Sequence, residues 1–274
     1  MVKKMNIIIR NEIPSDYKKT EYMTLRSFWN LHGPGCNEHY LVRILRESEA
    51  YLPQLSRVAE CDGQIVGAIF YSKAKVVDSR SGRTHEVITF GPLCVEPLLR
   101  DRGIGARLLK ETIPLAKNAG CPGIVIFGEP DYYPKHGFKT CDHFGITTSG
   151  GENFDAFMAY PLDEKKFASI HGAFYEDKLF EKGDDTAAVK KMTAEFPYHK
   201  PLSLTCQWLH KERLGEICEV SGNEYVIQFW ESKISARLKE SWKADEPLPK
   251  TGDYVTFEHR PGGVSRIISV CEET

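Results

Sequence analysis

Leu93-Cys94-Val95-Glu96-Pro97-Leu98-Leu99-Arg100-Asp101-Arg102-Gly103-Ile104-Gly105-Ala106 is the stretch on which the reading of this chain turns. An apolar run from Val87 to Val95 predicts a strand. A short turn follows, and Arg-x-x-Gly-x-Gly then opens a helical pattern. Strand, turn and helix in that order make a cradle for phosphate. The first amides of a helix have no partner within it and lie at the positive end of its dipole. Glycine at 103 and 105 keeps side chains out of the space where a diphosphate approaches the backbone. The third glycine of a dinucleotide fingerprint is missing, and no Gly-Lys-Ser/Thr of a P-loop occurs.

The 274 residues leave room for a sizeable core and two domains. A hydrophobic share of 41% with 27% charged residues describes a soluble globular protein. A net charge of −2 gives no global field for nucleic acid or an anionic membrane. No apolar run is long enough to span a bilayer, and no secretory core follows Met1. The eight cysteines are scattered without a Cys-x-x-Cys, which argues against a metal site or a disulfide framework. The expectation is reduced thiols and a cytoplasmic protein.

Outward from the cradle, the spacing predicts a strand at 6–12 and helices at 16–29 and 38–46. Strands follow at 55–60 and 65–77, joined by the hairpin signal Asp62-Gly63. Within the strand ending at Val95, Phe90-Gly91-Pro92 calls for a bulge. Pro114 predicts a kink or early stop in the helix after Gly103. A buried strand fits 121–127, a helical turn 129–138, two strands 141–147 and 154–162, and helix or turn 164–182. The polar stretch 183–200 reads as a linker with a helix at 186–195. From Ser203 the grammar changes to short β-like runs: 203–208, 213–220, 225–229, 233–239, 254–259 and 264–270. Turn signals separate them, which suggests a small barrel.

The string Val-x-Pro-x-x-Arg-x-x-Gly-x-Gly, from Val95 to Gly105, resembles the coenzyme A motif of the GNAT superfamily of acyl-CoA N-acyltransferases. Tyr-x-x-x-Gly-Phe at 133–138 is similar to the family's second motif, and the order of elements over residues 5–182 resembles the family's arrangement. The resemblance implies an α/β (α+β) fold with a central, mixed, mostly antiparallel sheet flanked by helices over 1–182. A linker at 183–200 and an all-β barrel at 201–274 follow. Lys-x-Gly-Asp-x-Val at 250–255 resembles an OB-fold or S1-type barrel, with an SH3-like barrel as the next choice.

The activity implied is transfer of an acetyl group from acetyl-CoA to a primary amine by direct attack, without metal. Leu93, Cys94 and Val95 would hold the thioester arm by their backbone, and the Val95 N–H would polarise its carbonyl. Amides of Arg100, Asp101, Arg102, Gly103, Ile104, Gly105 and Ala106 would hold the diphosphate, with the Arg100 and Arg102 side chains adding charge. Tyr133 is the general acid expected from the resemblance, with Tyr132 as the adjacent rival. Glu86, Glu129 and Asp131 are candidate bases, or a water relay serves. His32 and His39 flank the expected acceptor wall. The acceptor is a small molecule or a protein, delivered in one version by the barrel, and a homodimer is compatible with the sequence. The alternative is a non-catalytic acyl-CoA sensor whose barrel contacts RNA or protein. Residues 201–274 carry 9 basic against 12 acidic residues, so only a stripe of Lys233, Arg237, Lys239 and Lys243 favours nucleic acid.

Overall fold

The computed structural model describes residues 5–206 and 213–274. The β1 strand (Ile7–Arg10) leads into helices α1 (Tyr17–Phe28) and α2 (Glu38–Arg46). Strands β2 (Arg57–Cys61), β3 (Gln64–Val77) and β4 (Thr84–Val95) then form an antiparallel run. Asp62 and Gly63 close the β2–β3 hairpin at positive φ, as that dipeptide demands. Helix α3 (Ile104–Asn118) returns the chain so that β5 (Gly123–Phe127) lies parallel to β4. Short strands β6 (Lys139–Thr140) and β7 (Ile146–Thr147) follow, then β8 (Phe157–Pro161), helix α4 (Glu164–Phe167) and β9 (Gly172–Glu176). The result is a nine-stranded mixed sheet, β1-β2-β3-β4-β5-β8-β6, with β9 joining β3 and β7 at the side.

Helices cover both faces because alternate strand residues are apolar on both. On one face Ile69, Tyr71, Ile88 and Phe90 pack under Ile104, Leu108 and Leu109 of α3. Each such leucine, removed wholly from water, stabilises by roughly 1.5–3 kcal/mol. On the other face Ala68, Phe70 and Cys94 pack under Met23, Val42 and Leu45 of α1 and α2. Polar residues of α1 that face the sheet bond back to their own helix: Thr24 Oγ1 donates to the Thr20 carbonyl at 2.8 Å, and Ser27 Oγ to that of Met23 at 2.8 Å.

Three sequence expectations are corrected. Residues 141–147 are no continuous strand; Cys141–Phe144 is a 3₁₀ turn between the two-residue strands β6 and β7. Its apolar Cys141 and Phe144 pack at turn spacing on Phe167 and its neighbours, a period that a short run does not reveal. The stretch 164–182 is not all helix or turn, for β9 lies within it and pairs with β3 from Ala74 to Val77. Of the two outcomes expected at Pro114, the early stop does not occur: helix α3 carries Pro114 inside it and continues to Asn118, with Ala116 buried.

Helices α5 (Leu179–Lys182) and α6 (Thr186–Thr193) follow. Asp185 caps α6 by accepting the Ala187 and Ala188 amides at 3.1 Å. Met192 and Phe196 pack on Leu25 of α1. Arg43 joins Glu21 to Glu195, while Arg46 joins Glu21 to the buried Glu12, so charges tie the stretch after α5 to the α1–α2 pair.

Strands β10 (Arg213–Ser221), β11 (Glu224–Phe229), β12 (Ser232–Leu238), β13 (Tyr254–Glu258) and β14 (Ser265–Cys271) form a separate closed barrel in the order β10-β11-β12-β14-β13. β12 and β14 are parallel and all other pairs antiparallel. Tyr225, Phe229 and Phe257 fill its core. The strand expected at 203–208 is represented by a bridge of Leu204 to Glu273; Trp208 lies outside the described residues. That bridge sets Cys206 against Cys271, and the two form a disulfide with Cα atoms 5.5 Å apart. The expectation of eight reduced thiols is thereby corrected: the barrel's end brings together two cysteines 65 residues apart in sequence, a proximity spacing alone cannot show. Labelling of the unreduced, denatured protein should modify the six thiols that are free in the structure. Modification of all eight cysteines would contradict the bridge.

Candidate active site

β4 and β5 meet at a single register pair, Ile88 with Ile124, and part beyond it. The parting coincides with a bulge on β4: Phe90 lies opposite Tyr71 but Leu93 opposite Ile69, so three steps on β4 run against two on β3. The Gly91–Pro92 bond there is cis. Past the bulge, Glu96 donates its amide to Val66 of β3 at 2.9 Å. Strand alternation then turns the N–H groups of Leu93 and Val95 the other way, toward the parted edge. Cys94 turns its backbone toward Ala68 and its thiol toward Thr24 Oγ1, 3.5 Å away. Burial pushes that thiol up to about 12, so it is a packing group.

From Val95 the chain enters the turn Pro97–Leu99 and then the stretch from Arg100 to Gly103. Asp101 and Gly103 both have positive φ, 65° and 75°, between residues of ordinary hand. Alternation of that kind curves successive amides into a concave nest for an anion. Gly103 is the N-cap of α3 and offers no side-chain cap; the first helical bond runs from Arg107 N to Gly103 O at 2.9 Å. The amides of Ile104, Gly105 and Ala106 therefore have no helical acceptor. The side chain of Ile104 is buried in the core beneath them, which fixes the helix start. A side chain at Gly105 would meet the Tyr132 hydroxyl at 2.8 Å and Val95 Cγ2 at 3.7 Å, so the first turn of α3, strand end and tyrosine converge.

The two tyrosines diverge. Tyr132 sets its hydroxyl over Gly105, and burial pushes its phenol up to about 12. Tyr133 is 9% exposed and packs between Phe90, 5.8 Å between ring centroids, and Phe138, 5.5 Å. Its ring lies where any side chain at Gly128 would stand, 2.2 Å from the position of a Cβ, so the residue closing β5 must be small. Burial raises the Tyr133 phenol far above its ordinary range, with the neighbouring Tyr132 adding to it. It is therefore protonated throughout the physiological range, which suits it to give a proton and not to act as a base.

Other candidates fall elsewhere. Glu86 is exposed and lies opposite Lys75, near the start of β4 and far from its parted end. Glu129 supplies its carbonyl to the Tyr132 and Tyr133 amides at 3.0 and 3.2 Å, which fixes the tyrosine turn. Asp131 lies exposed in the same turn, and His32 is half-buried in the α1–α2 connection. His39 is fully buried: Nε2 lies 2.9 Å from Thr193 Oγ1 and Nδ1 3.7 Å from Cys36 Sγ. It is a structural residue, not a surface ligand. Arg102 rests Nη1 on Met5 Sδ at 3.2 Å, and Arg100 donates to the Ser27 carbonyl at 2.5 Å, so neither guanidinium is free of a local contact.

Sequence reading missed two residues that hold this geometry. Ser27 Oγ reaches the Val95 carbonyl at 3.1 Å, while its own carbonyl takes Arg100, so the end of α1 fastens the strand end and the turn together. Arg213, the first residue of β10, is 4% exposed and donates from Nε to the Pro97 carbonyl at 2.7 Å. A serine on a helix and an arginine opening a strand carry no local signal; only the tertiary fold shows their use.

The family model for the acetyltransferase (GNAT) domain matches residues 51–140. The chain is similar to the uncharacterized N-acetyltransferase YjhQ of Escherichia coli K12, 30% identical over 125 residues, which are 46% of this chain and 63% of that protein. It is similar also to E. coli YhbS, 25% identical over 166 residues, 61% of this chain and 93% of that one. The crystal structure of YhbS in complex with CoA superposes with a TM-score of 0.57 at 25% identity, covering 66% of this chain and 95% of YhbS. A GNAT family acetyltransferase from Brucella melitensis, in complex with acetyl-CoA, superposes with a TM-score of 0.51 at 26% identity over 64% and 98%. The parted β4 edge and the glycine turn both lie within residues 51–140, the part of the chain that matches the acetyltransferase (GNAT) domain.

His39 sets a pH dependence of folding. Burial, and then the Arg43 charge, lower its pKa from 6.5 to about 4. Between those values the unfolded chain binds a proton that the folded chain refuses, so stability falls as pH falls. The slope is about 1.4 kcal/mol per pH unit for one such group. Urea unfolding at pH 7, 6 and 5 should show this loss, and His39→Asn should remove it. An equal acid loss in that variant would contradict the assignment.

Proposed function

We propose that the first domain transfers the acetyl group of acetyl-CoA to a primary amine by direct attack. The observation that carries this reading is the pair of Leu93 and Val95 amides on the parted edge of β4, leading without interruption into the glycine nest. The backbone from Arg100 to Ala106 suits a diphosphate, and the β4 edge suits an extended amide-bearing arm that pairs as an added strand. Such an arm runs from the nest past Val95 toward Leu93. The Leu93 N–H, farther along and closer to the Phe90–Tyr133 contact, is then better placed than that of Val95 to polarise the thioester carbonyl.

Bound acetyl-CoA supplies an activated acyl carbon. The amine must arrive as a free base, since an ammonium has no lone pair. Its nitrogen forms the C–N bond, the carbonyl oxygen gains charge against the Leu93 amide, and the C–S bond breaks. Tyr133 donates its phenolic proton to the departing thiolate. The proton lost by the amine leaves to solvent and restores the balance. Tyr132, with its hydroxyl at Gly105, lines the path of the arm rather than its reacting end.

We further assign the domains as 1–182 and 201–274 with 183–200 between them, and read the barrel as OB-like. Its order β10-β11-β12-β14-β13, with the single parallel pair β12–β14, supports that reading. In the Lys-x-Gly-Asp-x-Val string, Asp253 accepts the Lys250 amide at 2.7 Å and Gly252 donates to Ile217 at 2.8 Å, so the motif pins a barrel turn. The basic stripe gives nucleic acid little: Lys233 pairs with Glu219 at 2.7 Å and Arg237 with Glu224 at 2.5 Å. Among the described residues, no helix is long and apolar enough to cross a membrane, and no group of three or more His, Cys, Asp or Glu is placed to hold a metal ion.

Tyr133→Phe should keep acetyl-CoA affinity and lower turnover of an accepted amine ~10²-fold or more, the scale of a lost general acid. Gly105→Glu should abolish acetyl-CoA binding. Thiol release and calorimetry on the full chain check both. Wild-type turnover in the first, or wild-type affinity in a folded second variant, contradicts the respective assignment.

A further inference from the structure

The first domain and the barrel line an open cavity of about 250 Å³ beside the nest turn. Arg26, Ser27 and Arg100 form one wall; Arg213, Glu216 and Trp230 belong to the other. Three guanidinium groups at one small cavity call for an explanation. Arg26 pairs with Glu96 at 2.8 Å, yet its Nε is buried without a partner. Arg213 is held by the Pro97 carbonyl, and its nearest acid, Asp101, stands 3.5 Å away with a largely exposed side chain. Arg100 donates to the Ser27 carbonyl, and among the described residues no carboxylate lies within ion-pair distance of it; Glu96 and Asp101 act on it from farther away. Burial, and then the charge of Arg213, push Arg100 down to about 10, where it is still protonated at neutral pH.

A partly buried guanidinium with no carboxylate in contact favours an anion beside it, and its planar fork suits a two-oxygen anion. Aromatic rings contribute to the rest of the lining beside aliphatic and polar side chains: Trp29 lies on the helix side, and the His199 ring lies 3.9 Å from that of Trp230. The volume is below the ~300 Å³ at which drug-sized pockets begin, so it suits a single ring with an acid group.

We infer that this cavity binds a small aromatic oxyanion, a carboxylate or phosphate monoester, with Arg100 as counter-ion and Trp230 as stacking face. The seat is separate from the cosubstrate's, which is built from backbone amides. The shared chemistry is a planar ring bearing a two-oxygen anionic face, and the probes below distinguish its two sources.

Calorimetric titration of the full chain with phenyl phosphate, benzoate and inorganic phosphate tests this. One-to-one binding of phenyl phosphate or benzoate is expected, about tenfold tighter than that of inorganic phosphate, since the ring adds a stacking face. The tighter of the two aromatic probes identifies the class. Arg100→Gln should weaken it by about tenfold or more, and Arg100→Lys by less. Glu216→Gln, an exposed change at the cavity wall, should strengthen it, because a like charge leaves. Saturating CoA should leave the affinity in place. Absence of saturable binding by either aromatic probe would overturn the inference, as would loss of binding in the presence of CoA. Wild-type affinity in a folded Arg100→Gln overturns it too. If that variant does not fold, unchanged or weaker binding by Glu216→Gln decides against the site.

Discussion

A strand inside a sheet cannot leave its amides bare, and the structure is arranged around one that does. β4 pairs with β3 along its whole length, but with β5 at one register position only. Past the bulge the Leu93 and Val95 amides face a gap. Unmet buried donors are expensive, so the gap persists only because the flanking elements are fixed independently. β3 holds one edge, β8 pairs with the whole of β5 from Gly123 to Phe127, and Ser27 of α1 takes up the Val95 carbonyl. A ligand that presents its own amide groups repays the open edge. That is the physical reason why, in the function proposed, an extended acyl carrier would pair there rather than elsewhere along the sheet.

The turn after β4 carries the second half of the constraint. Residues 101 and 103 need left-handed backbone, and the amides opening α3 need to stay uncapped. Such a turn is strained by itself. It is gripped from both sides: Arg100 is bound to the end of α1, and Pro97 is bound by Arg213 of the barrel. Tyr22 and Arg26 of α1 further meet Glu231 of the barrel. The barrel is thus docked on the segment that shapes the glycine nest.

The sequence revealed elements whose signals are local. The Asp62-Gly63 hairpin, the helix at 38–46, the bulge at Phe90-Gly91-Pro92 and the glycine turn are each written in a few adjacent residues, and each is present. Barrel strands separated by glycine turns were legible for the same reason. What escaped depends on distant partners. Strand β9 has its edge on β3, about a hundred residues earlier, and reads as helix or turn in isolation. Residues 141–147 lack the length to show a period. His39 has the composition of a surface ligand, yet Thr193 and Cys36 close over it. Gly128 looks like an ordinary loop glycine until the Tyr133 ring is seen on it.

The central claim is that the parted β4 edge and the nest after it hold an acyl-CoA in this chain. The most direct measurement is calorimetric titration of the purified full-length protein with acetyl-CoA. The account predicts one-to-one binding at micromolar concentrations. Absence of binding by protein whose folding is verified in the same preparation would contradict it, and would mean that the fold is retained without its cosubstrate.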